Sequence, residues 1–287
     1  MYLSFGRVLR LSRPRFWIYL FGPYLIGILA ALSGIDDFGQ ILRSPRAMAF
    51  ALFFLFPANL LVYGLNDIFD YETDKRNPKK QGYETLLAPE LQSQAWIWII
   101  ACAFPFFLAA MPLPAIAVIG IVLFALLSIF YSAPPIRAKA RPFVDMTFNA
   151  LYAMPALVGY GIVGGTHWPA MPLLAAILWC FAMHAYSAVP DIVADREADI
   201  ATTATVLGKR KTILLCGTLY AASAFIAAFA TPIGPLAPIL GMGYLVLMGA
   251  SWRASDDAAL HRVYAIFPAF NTLSGAAITI RILVGMI

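Results

Sequence analysis

Long uncharged stretches separated by short polar breaks are the dominant pattern of this chain. Cutting at charges and turn residues leaves nine apolar runs, at about 16–33, 47–65, 94–110, 113–131, 143–164, 170–190, 211–230, 233–251 and 263–285. Most approach the ~20 residues that a helix needs to cross a bilayer. A backbone inside lipid must satisfy its own hydrogen bonds, which favours helices over open strands. The pattern predicts an all-α polytopic membrane protein with nine transmembrane helices. Two boundaries are tight: Met111-Pro112-Leu113-Pro114 and Thr231-Pro232-Ile233-Gly234-Pro235 must each turn the chain between consecutive spans.

Composition agrees. Hydrophobic residues make up 61% of the 287 and charged residues 12%, where soluble domains carry roughly a quarter charged. With nine spans, all of the 20 Lys and Arg except Arg43, Arg46 and Arg281 fall on the side of the N-terminus, and of the 15 acids only Asp36 and Asp37 fall on the other. The positive-inside rule then puts the N-terminus and the charged loops in the cytoplasm and the C-terminus outside. The net charge of +5 is thereby explained by topology, and no nucleic-acid partner is expected. Arg7, Arg10, Arg13 and Arg15 precede a full-length apolar run, so no cleavable signal peptide is expected. Cys102, Cys180 and Cys216 all lie in apolar runs without a CxxC pair. They read as small core residues.

Two acidic stretches interrupt this background. The first, Asn66-Asp-Ile-Phe-Asp-Tyr-Glu-Thr-Asp74, follows the uncharged run 47–65. At 100° per residue Asn66, Asp67, Asp70 and Asp74 share an arc of about 100° on a helix, while Glu72 points elsewhere. Clustered carboxylates repel unless a cation lies between them, and oxygen-only ligands suit a hard divalent ion, Mg²⁺ before Ca²⁺. Lys75, Arg76, Lys79 and Lys80 follow. They offset that charge, and can bind phosphate oxygens or anionic lipid headgroups. The second stretch follows Pro190. Asp191, Asp195 and Asp199 stand at i, i+4 and i+8, within about 80° of one helical face.

Between them lies Tyr131-Ser-Ala-Pro-Pro-Ile-Arg137-Ala-Lys139-Ala-Arg141-Pro. Adjacent prolines stop the helix and extend the chain, and in an extended chain the alternating Arg137, Lys139 and Arg141 would face one way. Each acidic stretch follows the second span of a four-span set, a layout expected of a duplication with quasi-repeats at about 16–131 and 143–251 and an extra helix at 263–285 within a single domain. His184 lies about two turns before Asp191, where a lone histidine is more often a packing residue than a ligand. The glycines 159, 161, 164 and 165 read as close helix packing.

Two facing acidic helices can hold two Mg²⁺ ions, with Arg and Lys completing a diphosphate cage. Diphosphate leaves carbon only once its charge is neutralised. An allylic donor then leaves a carbocation that apolar and aromatic side chains must shield from water. A secondary transporter would fit intramembrane charges better than acids in membrane-surface loops all on one side. A scaffold gives no reason for two matching acidic faces.

Asn66-Asp67-x-x-Asp70-x-x-x-Asp74, Tyr131-Ser132-x-x-Pro135 with Lys139, and Asp191-x-x-x-Asp195 resemble the UbiA-type intramembrane prenyltransferases over essentially the whole chain. The resemblance implies a nine-helix ring around a central cavity open to lipid, with Asn66, Asp70, Asp74, Asp191 and Asp195 holding Mg²⁺–diphosphate. It further implies diphosphate contacts from Arg137 and Lys139, and Tyr131 near the reacting centre; Arg76, beside the first aspartates, is a further candidate for the diphosphate. Within the family, Asn77-Pro-Lys-Lys80 and the Ser132–Asp145 run look most like the lycopene elongases, which add C5 units from dimethylallyl diphosphate to lycopene. An aromatic acceptor, as in quinone or chlorophyll-type pathways, is the alternative. Donor length, accompanying hydration and oligomeric state stay open.

Overall fold

The computed structural model describes residues 2–71, 75 and 86–286. Every regular element among them is helical. The first half runs α1 (Phe5–Leu11), α2 (Ile18–Ala31), α3 (Ile35–Ile41), α4 (Pro45–Leu55), α5 (Pro57–Phe69), α6 (Pro89–Ala110) and α7 (Ala115–Ser132). The second runs α8 (Val144–Thr147), α9 (Met154–Ile162), α10 (Ala170–Ser187), α11 (Ile192–Glu197), α12 (Thr203–Ala230), α13 (Leu236–Arg253), α14 (Asp257–Tyr264) and α15 (Phe267–Val284). Short 3₁₀ turns occupy Pro14–Phe16, Ala138–Ala140 and Phe148–Tyr152.

Seven helical runs among the described residues are long and apolar enough to cross a membrane: Pro14–Ala31, Pro45–Phe69, Pro89–Ala110, Ala115–Ser132, Ala170–Ser187, Thr203–Ala230 and Asp257–Val284. Both tight turns lie where expected, between α6 and α7 and between α12 and α13. The other two expected spans look different. The run 143–164 is divided into α8, a 3₁₀ turn and α9, and Pro155 has no N–H with which to carry a continuous helix through this point. The run 233–251 is the 18-residue α13, whose last turn holds Arg253.

The chain forms two compact units, one of Met1–Leu32, Asp36–Arg137 and Met154–Thr166, the other of Ser33–Ile35, Ala138–Ala153 and His167–Ile287. In the first, α9 lies against α2 and α7. Side chains are sacrificed to bring them close. A Cβ at Gly159 would run into the Tyr24 carbonyl oxygen, and one at Gly27 into that of Ala156. One at Gly161 would stand 2.7 Å from the Ala117 nitrogen. Gly159 and Gly161 thus have the packing role expected of them. In the second unit, α10, α12 and α13 pack in sequence over buried Tyr186, Tyr220 and Tyr244. The Tyr186 and Ser251 hydroxyls share a hydrogen bond of 2.7 Å, and the Tyr244 hydroxyl donates to Asn271 Oδ1 at 2.9 Å.

Pro57 divides the second span without leaving its backbone bare. It cannot donate to the preceding turn. Asn59, fully buried, caps the end of α4 instead: its Nδ2 donates to the carbonyls of Phe54 at 2.8 Å and Leu55 at 3.0 Å. That repair starts α5, whose far end carries the first acidic stretch.

Candidate active site

In the first unit, α5 ends at Phe69 and Asp70 is its C-cap. Asn66 and Asp67 therefore belong to the last helical turn, and Asp70 lies just past it, with its N–H still bonded to the Asn66 carbonyl at 3.0 Å. Asp67 and Asp70 are both buried. Asp67 accepts a hydrogen bond from Arg13 Nη2 at 2.9 Å, and the same guanidinium lies 4.8 Å from the centre of the Tyr63 ring, one turn back on α5. An acid out of water needs such a partner. Asn66 donates to Ser132 Oγ at 3.3 Å, which brings the end of α5 to the end of α7, where Tyr131 sits. Asp74, Arg76, Lys79 and Lys80 lie outside the described residues.

The cationic segment differs from the extended run expected of it. The Pro134–Pro135 peptide bond is cis, and Arg137 takes a left-handed conformation at φ 45°. Its N–H closes a turn on the Ala133 carbonyl at 2.9 Å, and the Arg141 N–H closes another on Ala138 at 3.0 Å. Lys139 lies in the 3₁₀ turn between them. Local turns satisfy the backbone here, so Arg137, Lys139 and Arg141 do not alternate along a strand. Arg137 and Arg141 are exposed and Lys139 is half-buried.

The second acidic stretch is also shorter as a helix than its spacing suggested. Asp191 is the N-cap of α11 and Asp195 lies in its first turn, with the Asp195 N–H bonded to the Asp191 carbonyl at 2.8 Å. Asp199 does not continue that face. It is left-handed at φ 54°, its N–H reaches the Arg196 carbonyl at 3.1 Å, and the Ile200 N–H reaches Asp195 at 2.8 Å. This is a Schellman ending with an acid where glycine is usual, and aspartate is one of the few residues that tolerate it. Asp191 and Asp195 stay together; Asp199 turns away from their helix.

Asp145 was not singled out by the sequence reasoning, yet it is the most deeply held acid of the second unit, with 0% exposure. Oδ2 accepts the Thr203 N–H at 2.8 Å and Oδ1 accepts its hydroxyl. His184 Nε2 stands 4.0 Å from Oδ2, so His184 faces a buried carboxylate. A signal existed. Asp145 is the only acid in the apolar run 143–164, and an acid in such a run demands a partner.

Chemically, the acidic stretches offer hard oxygen donors without sulfur, which suits Mg²⁺. No three Asp, Glu, His or Cys side chains converge among the described residues. Mg²⁺ does not require that: it commonly takes one or two carboxylates and completes its octahedron with water and substrate phosphate. Within each unit the oxygen donors present, Asn66 and Asp70 in the first and Asp191 and Asp195 in the second, are of a type that fits such a metal.

A profile of the UbiA prenyltransferase family matches residues 20–273. A lycopene elongase/hydratase of Haloarcula japonica is 38% identical over 277 residues, covering 96% of this chain and 90% of that protein. One from Halobacterium salinarum is 38% identical over 279 residues, covering 96% and 97%. Among solved structures, a UbiA homologue from Archaeoglobus fulgidus bound to DMAPP and Mg²⁺ superposes with a TM-score of 0.70 at 20% identity, covering 94% of this chain and 99% of that one.

Proposed function

The chain belongs to the UbiA prenyltransferase family, and from that premise we propose that it prenylates a lipophilic polyene, lycopene or a related carotenoid, using dimethylallyl diphosphate. The reading is carried by two acidic helix termini, Asn66–Asp70 at the end of α5 and Asp191–Asp195 at the start of α11, in a chain 38% identical to lycopene elongase/hydratases. The DMAPP and Mg²⁺ held by a protein of the same fold support the donor and the metal.

Asn66, Asp70, Asp74, Asp191 and Asp195 hold the metal–diphosphate, with Asp67 set back against Arg13. Arg137, Lys139 and Arg76 bind the remaining diphosphate oxygens by charge-assisted hydrogen bonds. Bound Mg²⁺ neutralises the charge that develops on the leaving group. The allylic C–O bond breaks with its electron pair leaving on diphosphate, and a π bond of the acceptor supplies the two electrons of the new C–C bond. The resulting tertiary cation loses a proton, or takes up water and then loses one. Tyr131 stands near the reacting carbon, and the apolar surroundings keep water from the first cation.

The test supplies membranes containing the protein with labelled dimethylallyl diphosphate and either lycopene or 4-hydroxybenzoate. A labelled lycopene product is expected, and its mass tells whether water was added. Asp70→Ala, Asp191→Ala and metal chelation should each lower turnover by at least ~10²-fold, the scale of losing a group that stabilises transition-state charge. Full turnover in any of the three would overturn the mechanism. Labelling of 4-hydroxybenzoate alone would move the acceptor to the aromatic class, and uptake into vesicles without product would point to transport.

A further inference from the structure

The buried node at Asp145 lies beyond the residues that the proposed chemistry uses. Each of its oxygens accepts a hydrogen bond from Thr203, and the Thr203 hydroxyl also accepts the Phe143 N–H at 2.7 Å. The Asp145 N–H goes to the Arg141 carbonyl at 2.9 Å, and the Arg141 N–H to that of Ala138 at 3.0 Å. A continuous run of hydrogen bonds therefore leads from the segment bearing Lys139 and Arg141 to Thr203, the first residue of α12. From the other direction, Arg196 of α11 donates to the Thr205 carbonyl at 2.8 Å, so the helix bearing Asp195 is tied to the same turn of α12. That turn is a piece apart from the span that follows it, because Gly208, at φ 72°, breaks the helix behind it. Phe143 is held left-handed at φ 69°, a costly conformation for a non-glycine residue unless its surroundings impose it.

We propose that Asp145 and Thr203 are positioning residues for diphosphate: they hold the Lys139–Arg141 segment at one place relative to Asp191 and Asp195 within the second unit. This rests on the prenyltransferase reading for the identity of the anion. A fold that needed only burial here would be served as well by apolar side chains, since buried charged groups seldom add net stability. The node instead spends its hydrogen bonds on one cationic segment and one helix start.

Thr203→Val keeps the side-chain shape and removes the hydroxyl that serves both Asp145 and Phe143. Thr203→Ser keeps the hydroxyl. Calorimetric binding of inorganic diphosphate with Mg²⁺ to the detergent-solubilised full chain is read beside KM and kcat for donor and acceptor. Thr203→Val should weaken diphosphate binding and raise donor KM by about tenfold, the scale of one coupled polar contact, and leave acceptor KM unchanged. Thr203→Ser should bind as the parent does. In a Lys139→Ala background the effect of Thr203→Val should shrink below about twofold, because residues acting through one another do not add.

Unchanged binding, equal shifts in both KM values, or effects that simply multiply in the double variant would overturn the proposal. If Thr203→Val does not fold, Asp145→Asn carries the same measurements. Failure of both to fold, with Thr203→Ser intact, would show a purely structural node and also overturn it. A parent chain that binds diphosphate but transfers no prenyl group would count against the proposed function alone. One that binds no diphosphate would overturn the positioning role.

Discussion

Asp256 caps α14, accepting the Ala259 N–H and the Ser255 hydroxyl, each at 2.8 Å. These bonds, Ala259 first, favour the charged form and hold its carboxyl below the ordinary value of 3.8. A depressed folded value means that the cap contributes above the unfolded pKa and is lost as pH falls through the folded one. Protection of the Ala259 amide against hydrogen exchange, corrected for intrinsic rates, should hold at pH 6 and fall below about pH 3.8, while Asp256→Asn should flatten that dependence. Constant protection of the parent across this range would refute it. Acids elsewhere in the chain are placed by the same rule, that a carboxylate sits where donors meet it. Asp67 meets Arg13, and Asp145 meets Thr203. Neither partner could be read from spacing along the chain. The candidate ligands Asn66, Asp70, Asp191 and Asp195 were legible, because their type and local spacing are sequence properties.

Elements follow from punctuation. Pro57 ends one helix and starts another, and Asn59 covers the carbonyls that this exposes. Helix length was where periodicity misled: Asp199 continues the i, i+4, i+8 series on paper, but α11 closes after Glu197. Its backbone bonds, not its side-chain pattern, set that end. Close packing of α9 against α2 rests on the glycines at their contact. Gly159→Ala would place a methyl group against the Tyr24 carbonyl, which has no side-chain freedom with which to yield. It should destabilise the protein by about 1–3 kcal/mol, the usual cost of overpacking. Thermal unfolding in detergent measures this. Gly275→Ala on α15, where an added Cβ meets nothing within 4 Å, should not lower the melting temperature and should raise it slightly, since alanine favours a helix interior over glycine. Equal melting of the Gly159 variant and the parent would remove the packing argument.

For the whole molecule, the charge segregation makes a prediction about sidedness. On a Cys102→Ser background, Glu197→Cys should react with a membrane-impermeant maleimide only after cells are opened, and Asp36→Cys should react in intact cells. Both positions are exposed. The reverse labelling would invert the orientation drawn from the positive-inside rule. The sequence by itself determined that the chain is a helical membrane protein, where its two tight interhelical turns fall, and which acids and cations are candidates for the chemistry. Each of these rests on residue type and near-neighbour spacing, which the bilayer and the helix convert directly into structure. Only the tertiary structure decided that the run 143–164 is broken, that Arg137 to Arg141 fold into turns, and that Asp145 is locked to Thr203. Those outcomes depend on which backbone groups find partners, and the partner of Asp145 lies 58 residues along the chain, a separation that no local pattern encodes.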